Sequence, residues 1–337
     1  MTAHTRCTLV LIAALSLCTT ALASDADPFI GRWALTIPGG GAGWLGVTQE
    51  NGYLDAGILW GGGSVLPVDW VFTADGALYV FRLHKLERKN AAGEVVRTQT
   101  PPEVVTARVD GDFLQLTQIQ PHRNGIGYDE RQFTGKRIPP LPAKPDLSKV
   151  RFGALIALFD GTSLNGWKLT SDGQKNGWSI EAGCLVNKPI QPEGRHVSYG
   201  NLRTVAEEFE DFNLKLEVKV GKGENSGVYL RGIYEVQVAD TYGRPLDSHN
   251  MGGVYSRITP SVAAEKPAGE WQTMDITLVD RHVTVILNGQ KIIDNQPLLG
   301  CTGGALWSDE FKPGPIYLQG DHTGICYRNI VLKPVVK

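Results

Sequence analysis

Short segments in which apolar and polar residues alternate recur along most of this 337-residue chain. Alternation with a period of two is typical of β-strands, and the 3.6-residue apolar stripes of amphipathic helices are scarce here. Turn dipeptides such as Asp110-Gly111 and Asn288-Gly289 separate the segments, because such residues accept the positive φ of tight hairpin turns. The pattern predicts an all-β fold. The predicted strands cover residues 65–72, 77–83, 104–109, 113–119, 213–220, 227–230, 234–238, 274–279, 283–287 and 314–318.

A proline-rich run divides the chain into two parts. Residues 138–145 contain four prolines among eight residues, and this composition favours an extended tether over a packed element. We therefore predict a small β-barrel or sandwich domain at 28–137, a linker at 138–150 and a larger β domain at 151–337.

The first predicted domain is rich in tryptophan. Its first strand begins Gly31-Arg32-Trp33, which is similar to the start of lipocalin-like barrels. Two interpretations of the tryptophans stay open. Either they fill the core, as an accessory domain requires, or Trp44 and Trp60, each beside a glycine, are exposed and stack on sugar rings. The core set of the first interpretation is Trp33, Trp44, Trp60 and Trp70.

Residues 1–23 have the pattern of a signal peptide. A single Arg6 precedes an apolar run at 9–17, and the segment ends Ala21-Leu22-Ala23, as a cleavable leader does. The apolar run is much shorter than the ~20 residues that cross a bilayer as a helix. We therefore predict an exported protein, periplasmic or extracellular, with no transmembrane segment.

Charge and cysteine content exclude two functional classes. The formal net charge is −2, and there is no basic stripe of the kind that nucleic acid requires. Beyond the leader, Cys184, Cys301 and Cys326 form no CxxC pair, so a metal–thiolate site is not expected. One disulfide remains open, and its pairing is undetermined.

A series of short motifs in the second half identifies a family resemblance. Taken in order, the series resembles the 3-keto-disaccharide hydrolase family, whose members are also described as 3-keto-glucoside 1,2-lyases and 3-keto-2-hydroxyglucal hydratases. The resemblance covers nearly all of 151–337 and implies a concanavalin-like β-sandwich, a jelly roll. The motifs are residues 159–167, 178–183, 209–217, 224–231, 234–237, 269–272, 288–289, 318–322 and 327–330.

Two neighbouring strands carry polar residues at mid-strand. In residues 234–238, Glu235 and Gln237 alternate with valines, so they share one face of the sheet. We expect Glu235 to be a catalytic base and Gln237 to bind substrate. Tyr229 and Arg231 alternate in the same way on the preceding strand, and an aromatic ring with a planar cationic donor suits sugar recognition.

Further candidates lie at the end of a strand, in a loop and on the last strand. His322 follows Asp321 between two glycines, and histidine titrates near neutral pH. We expect His322 to be a general acid/base or a metal ligand, and Asp321 to bind substrate. His249 lies in a glycine-ended loop that could close over the site, and Arg328 could neutralise a developing negative charge.

The resemblance implies a reaction that starts from an oxidised sugar. A ketone at C3 acidifies the hydrogen on C2, so a base can remove it and the C1 substituent leaves by elimination; hydration of the 2-hydroxyglycal follows. Glu235 or His322 is the expected base. Arg328, His249 or a divalent metal is the expected stabiliser of the enolate, but no ligand spacing requires a metal. The expected partners are an oxidised glycoside or disaccharide and an upstream glycoside 3-oxidoreductase.

Two other functions were weighed against elimination. Glycosidases that hydrolyse unoxidised sugars use two facing carboxylates, whereas Gln237 follows Glu235 here. The second is a non-catalytic carbohydrate-binding module, because sandwich folds serve lectins as readily as enzymes. The cluster of histidine, arginine and carboxylate candidates favours the enzyme.

Overall fold

The computed structural model describes residues 25–193, 195, 197–321 and 323–336. This part of the chain contains strands and no helix, as the alternating pattern predicted. The strands are β1 (Gly31–Thr36), β2 (Ala42–Gln49), β3 (Leu54–Trp60), β4 (Leu66–Pro67), β5 (Trp70–Ala74), β6 (Ala77–Leu83), β7 (Leu86–Lys89), β8 (Val95–Gln99), β9 (Pro102–Asp110), β10 (Phe113–Pro121), β11 (Tyr128–Ile138), β12 (Ile156–Ala157), β13 (Trp167–Leu169), β14 (Trp178–Glu181), β15 (Cys184–Asn187), β16 (Leu202–Thr204), β17 (Phe212–Val220), β18 (Asn225–Leu230), β19 (Tyr234–Ala239), β20 (Trp271–Val279), β21 (His282–Leu287), β22 (Gln290–Pro297), β23 (Tyr317–Leu318) and β24 (Ile325–Pro334).

The first eleven strands form one curled antiparallel sheet and a small ribbon. The sheet has nine strands in the order β4-β3-β2-β1-β11-β10-β9-β6-β5, and β7 pairs with β8 in the ribbon. Trp60 on β3 and Phe133 on β11 are three strands apart in this order, yet their ring centroids are 5.3 Å apart. Adjacent strands are spaced by about 4.8 Å, so the sheet must curl around its core to bring these rings together.

The tryptophans of the curled sheet have different environments. Trp33 is fully buried, and its indole N–H donates to the carbonyl of Phe29 at 2.9 Å. Trp44 is 8% exposed and Trp70 is 66% exposed. Trp44 lies beneath the guanidinium of Arg257, 4.2 Å from its ring centroid. Because Trp44 is covered and Trp60 packs on Phe133, neither presents the open ring face that the sugar-stacking interpretation required.

The second half forms a sandwich of two antiparallel sheets, as expected for the concanavalin-like class. One has the order β14-β15-β24-β17-β20-β21-β22, with β12 paired to β24; the other has the order β13-β16-β23-β18-β19. Val228 and Val236 form a cross-strand pair and are fully buried in the core between the sheets. Their neighbours Tyr229 and Glu235 also pair, and the period of two places them on the opposite face of the five-stranded sheet.

The curled sheet packs directly on the sandwich. Ala34, Ala42, Trp44 and Leu59 belong to the same hydrophobic cluster as the sandwich core. The proline-rich linker between the two parts also contacts the sandwich. Arg281 donates to the carbonyl of Pro140 at 3.0 Å. The interface is therefore built from apolar side chains and from backbone carbonyls of the linker.

Several smaller expectations can be compared with the structure. Asn288 and Gly289 have φ of 52° and 83° and connect β21 to β22 as a hairpin turn, as predicted. The three cysteines of the described chain are free. No helix in this part of the chain is long and apolar enough to cross a membrane. The predicted leader at 1–23 lies outside the described residues.

Candidate active site

A polar pocket of about 460 Å³ opens on the outer face of the five-stranded sheet. Its floor comes from β18, β19 and β23, and loops from both halves of the molecule form its walls. Pockets of this size accommodate small ligands. The lining residues are Gly62, Gly63, Asn201, Asn225, Tyr229, Glu235, Tyr255, Gly303, Gly304, Tyr317, Gln319 and Asp321.

Glu235 lies in the floor of this pocket and is 3% exposed. Its carboxyl group folds over Gly227 of the neighbouring strand, where an added Cβ would lie only 2.1 Å from Oε1. A glycine is therefore required at this position for the carboxyl to occupy its place. Burial raises the pKa of Glu235 to about 8, although a hydrogen bond with Tyr229 lowers it in part. Within the described residues, no basic side chain pairs with Glu235.

Tyr229 connects Glu235 to the segment that contains Gly303. Its hydroxyl donates to the carbonyl of Gly303 at 2.7 Å, and it also interacts with the Glu235 carboxyl. The hydroxyl has a single proton, so these two acceptors compete for it. The ring stacks on Tyr317, with centroids 4.1 Å apart and planes 11° from parallel. Burial raises the pKa of both tyrosines, so both are neutral hydroxyl groups at physiological pH.

Three amide side chains also line the pocket. Asn201 donates to the Tyr317 hydroxyl at 2.9 Å and accepts from the backbone N–H of Gly320 at 2.8 Å. The other two are Asn225 and Gln319. The side-chain oxygen of Gln319 is buried and has no protein partner in the described chain. An acceptor in this state is suited to a hydroxyl group of a bound sugar.

Asp321 lines the pocket, as the sequence suggested for a substrate-binding residue. Its carboxylate accepts from the backbone N–H of Tyr199 at 2.7 Å and from the hydroxyl of Ser198 at 3.0 Å. These bonds fix the carboxylate at the rim. His322, which was predicted as an acid/base or metal ligand, lies outside the described residues.

Gln237 and His249 lie beside the pocket rather than in its lining. A segment of chain pairs with β19 through hydrogen bonds between Gln237 and Gly253 and between Gly252 and Gln237. Gln237 is only 2% exposed beneath it, and its amide oxygen accepts from the backbone N–H of Val238. Gln237 therefore does not line the pocket. His249 lies 4.7 Å from the Tyr255 ring, and its Nε2 is 2.9 Å from Ser64 Oγ.

Arg231 does not reach the pocket, contrary to the expectation from alternation. It has φ of 55° in the turn after β18, so the alternation of that strand no longer sets its direction. Its guanidinium is buried and donates to the carbonyls of Glu310 and Lys312. Arg231 therefore anchors the 310–312 loop.

Arg328 is also remote from the pocket. It lies on β24, in the sheet opposite the pocket. Its Nε and Nη2 donate to Glu217 Oε2 at 2.8 and 2.6 Å, and the guanidinium lies 4.0 Å above the Trp271 ring. The alternating pattern correctly predicted a strand at Arg328, but this strand belongs to the sheet that does not carry the pocket. The predicted role for Arg328 in neutralising charge does not fit this position.

Some lining residues had not been singled out from the sequence. Asn225 and Gln319 lie inside the family motifs, where the signal was present but no role was assigned. Asn201, Tyr255 and Tyr317 had no distinguishing pattern. Nor did the two pairs of glycines, which come together from positions about 240 residues apart.

The acidic side chains that line the pocket are Glu235 and Asp321. Across residues 25–193, 195, 197–321 and 323–336, no group of three or more histidine, cysteine or acidic side chains is arranged to hold a metal ion. The described pocket therefore offers two carboxylates and several neutral oxygen and nitrogen donors.

Comparison with known proteins places the pocket within a recognised domain. A family model described as the 3-keto-alpha-glucoside-1,2-lyase-like domain matches residues 154–333. The chain belongs to this family. The match spans nearly all of the sandwich and includes every floor residue of the pocket, so the resemblance inferred from the motifs is confirmed.

The chain is also similar to individual proteins. A 3-keto-disaccharide hydrolase of Bacteroides thetaiotaomicron is 29% identical over 167 residues, which are 41% of this chain and 57% of that protein. The chain thus spans less than two thirds of this curated relative. A Parabacteroides distasonis structure, provisionally described as a glycosyl hydrolase, is 28% identical, covering 58% of this chain and 93% of its own, with a TM-score of 0.43. The carbohydrate-binding module CBM66 of Bacillus subtilis is 10% identical, covering 49% and 93%, with a TM-score of 0.34.

Proposed function

We propose that this protein is an exported enzyme that cleaves 3-keto-glycosides by elimination, with Glu235 as the base. The observation that carries the proposal is the Glu235 carboxyl, buried in the floor of a polar pocket, with its pKa raised to about 8. Catalytic carboxylates are often given pKa values near the operating pH by burial. Family membership supports a carbohydrate substrate. The leader pattern at 1–23 supports export to the periplasm or beyond.

The chemistry follows from the acidity of C2 in a 3-keto sugar. Ionised Glu235 takes the C2 proton, and the electron pair left behind forms an enolate with the C3 oxygen. The ketone re-forms as the C1–O bond breaks, and the departing oxygen takes up a proton, which Glu235 now carries. The products are an enone-like 2-hydroxyglycal and the free alcohol. Water then adds at C1 and a proton returns to C2, which gives the free 3-keto sugar.

The neutral groups of the pocket have a role in this scheme. The developing enolate needs a hydrogen-bond donor, and preorganised donors contribute strongly in buried sites. The Tyr317 hydroxyl accepts from Asn201 at 2.9 Å, interacts with the Tyr229 hydroxyl and donates to the Gly304 carbonyl at 3.4 Å; because this last hydrogen bond is long, its proton can turn toward a ligand. We propose Tyr317 as the donor, in place of Arg328. His322 and a divalent metal remain part of the proposal only as alternatives that experiment must separate.

The test compares a 3-keto-glucoside with its unoxidised parent, in D₂O and with or without chelator. Elimination followed by hydration places solvent deuterium at C2, whereas direct hydrolysis leaves the C2 hydrogen in place. Spectra of the products formed by the purified protein measure the deuterium at C2 directly, after correction for the exchange that occurs without enzyme. Turnover of the keto form alone, with deuterium at C2, is the expected result. Hydrolysis without C2 exchange, or binding of either sugar without turnover, contradicts the proposal; the second outcome indicates a carbohydrate-binding module.

A further inference from the structure

A serine, a histidine and an aspartate meet where the two halves of the molecule touch. Ser64 lies in the loop between β3 and β4, and its Oγ is 2.9 Å from Nε2 of His249 in the sandwich. The other ring nitrogen of His249, Nδ1, lies 3.5 Å from Oδ1 of Asp247. A hydroxyl, a base and a carboxylate in this order form the arrangement that activates a serine for attack on a carbonyl carbon.

The contacts around the His249 ring favour the tautomer that this chemistry needs. A carboxylate only accepts hydrogen bonds, so Asp247 favours a proton on Nδ1. Nε2 is then an acceptor, and the Ser64 hydroxyl donates to it. The backbone N–H of His249 donates to Asp247 Oδ1 at 2.7 Å, which keeps the carboxylate beside the ring. The ring also packs edge-on against Tyr255, with centroids 4.7 Å apart. These contacts orient the imidazole toward Ser64.

The backbone at Ser64 offers donors for an oxyanion. The peptide N–H groups of Gly62, Gly63 and Ser64 have no hydrogen-bond partner in the described part of the chain. The N–H groups on either side, of Gly61 and Val65, do have partners. In serine hydrolases the oxyanion accepts from the N–H of the nucleophile and from a second N–H nearby. Ser64 and its two preceding glycines can supply such donors.

Ser64 lies between two cavities of different character. Gly63, the residue before it, lines the polar pocket of about 460 Å³. Val65, the residue after it, lines a mainly apolar cavity of about 880 Å³ between the curled sheet and the sandwich. Tyr255 and Ser256 are divided between the polar pocket and the apolar cavity in the same way. A molecule bound at Ser64 can therefore place a polar part on one side and an apolar part on the other.

We propose that Ser64, His249 and Asp247 form a second catalytic site, which hydrolyses esters between a sugar hydroxyl and an apolar carboxylic acid. The sugar occupies the polar pocket and the acyl group occupies the apolar cavity. Membership of a family that acts on glucosides supports a sugar as the alcohol part. The reaction does not use Glu235, so this inference goes beyond the proposed function and does not depend on it.

The reaction proceeds through an acyl-serine. Ser64 Oγ forms a bond to the acyl carbon while its proton passes to His249 Nε2, and the carbonyl oxygen becomes an oxyanion held by the backbone N–H groups. The bond from the acyl carbon to the sugar oxygen breaks, and that oxygen takes the proton from His249. Water then attacks the acyl-serine and gives a proton to His249, and this proton returns to Ser64 Oγ as the carboxylic acid leaves. Asp247 stabilises the imidazolium in both halves of the reaction.

The test measures hydrolysis of p-nitrophenyl acetate, p-nitrophenyl octanoate and an octanoyl ester of glucose. Wild type should hydrolyse all three, with a higher kcat/KM for octanoate than for acetate. Ser64→Ala and His249→Ala should each lower kcat/KM by at least about 100-fold, and Asp247→Asn by a smaller factor. Ser248→Ala is the matched control and should stay close to wild type, because Ser248 lies between Asp247 and His249 in the chain but outside the triad.

A covalent probe identifies the nucleophile directly. A fluorophosphonate should label Ser64 in wild type, as located by peptide mass spectrometry, and this label should be absent from Ser64→Ala. Ester hydrolysis that survives Ser64→Ala overturns the proposal, because a histidine side chain can hydrolyse activated esters without a serine. Absence of any ester hydrolysis by wild type, or of label on Ser64, also overturns it.

Two further measurements on the same preparations complete the test. A thermal denaturation midpoint of Ser64→Ala close to that of wild type shows that a loss of ester hydrolysis is not caused by unfolding. Turnover of a 3-keto-glucoside by wild type tests the Glu235 reaction separately, so failure of one activity is distinguished from failure of the other.

Discussion

Each half of the molecule contains a buried glutamate near the start of a strand, and the two have opposite surroundings. Glu103, in the curled sheet, is 2% exposed and contacts Arg82 at 2.9 Å and His84 at 2.8 Å. Glu235, in the sandwich, is 3% exposed, and the neighbour that modifies its pKa is the neutral Tyr229. Burial is nearly equal, so burial alone does not distinguish a structural carboxylate from a reactive one. The difference lies in whether a cation compensates the buried charge.

The comparison also explains the opposite energetic roles of the two residues. The Glu103 carboxylate contacts Arg82 and so links β9 to β6. A buried carboxylate without a cation favours its neutral form, which is costly for stability at high pH but leaves a proton acceptor close to neutral pH. The contrast teaches that the partner set, and not the depth, is the reason to propose Glu235 as the base.

The largest expected effect comes from Glu235→Gln. The amide keeps the size of the side chain but cannot accept a proton, so turnover of a 3-keto-glycoside should fall by about 10³-fold. Steady-state kinetics at pH 8 measures the change, and circular dichroism checks the fold. A variant that retains more than a tenth of the activity would remove Glu235 from the role of base and return attention to His322.

The pH dependence of stability should distinguish the two glutamates next. The pKa of Glu235 is raised from 4.5 to about 8, so between these values the folded state binds one more proton than the unfolded state. The contribution of Glu235 therefore lowers the stability of wild type as pH rises from 4.5 to 8. Relative to wild type, Glu235→Gln should gain a few kcal/mol in unfolding free energy between pH 4 and pH 9, with about 5 kcal/mol as the upper bound.

Urea denaturation at the two pH values measures this gain. A difference between the two proteins that stays constant with pH contradicts a raised pKa. For the same reason, kcat/KM of wild type should rise with pH up to about 8, because only the ionised carboxylate accepts the C2 proton.

Glu103→Gln should show the reverse profile: lower stability with activity retained. The amide cannot hold Arg82 and His84 as the carboxylate does, and we expect a loss of about 1–3 kcal/mol in unfolding free energy. Denaturant titration gives the stability, and kcat/KM should stay within about twofold of wild type. Strong loss of activity in a variant that is still folded would mean that the two glutamates are not separable in this way.

A smaller effect is expected for Tyr229→Phe. The hydroxyl lowers the pKa of Glu235 in part, so its removal should shift the pH–rate profile to higher pH. At pH 7 this should reduce kcat/KM by about 10-fold. Tyr53→Phe, at a tyrosine that is 59% exposed in the curled sheet, is the matched control. An unshifted profile for Tyr229→Phe rules out the Tyr229–Glu235 coupling.

The smallest effect is expected for Arg328→Ala. Its ion pair with Glu217 is partly exposed, with 38% of the arginine side chain accessible, and such pairs contribute about 0–1 kcal/mol. We expect kcat/KM within twofold of wild type and a small loss of stability. A fall in kcat/KM of more than 10-fold without unfolding would restore Arg328 as a catalytic group.

The sequence-based predictions were correct where they depended on residues close together in the chain, and failed where they depended on how distant segments pack. The position of Glu235 on the face of β19 away from the core follows from a period of two over neighbouring residues. Arg231 broke the same rule because the strand ends one residue before it. For Arg328 the local pattern was again correct, but nothing local indicates to which of two sheets a strand belongs.

The sequence by itself determined the β-strand pattern and the family, because these depend on neighbouring residues and on motifs in fixed order. Only the tertiary structure decided which polar residues meet. Gly227 makes room for the Glu235 carboxyl, and Gly62 and Gly63 of the curled sheet line the same pocket. These contacts join strands and domains far apart in the chain, and the burial that raises the pKa of Glu235 exists only once those parts have packed together.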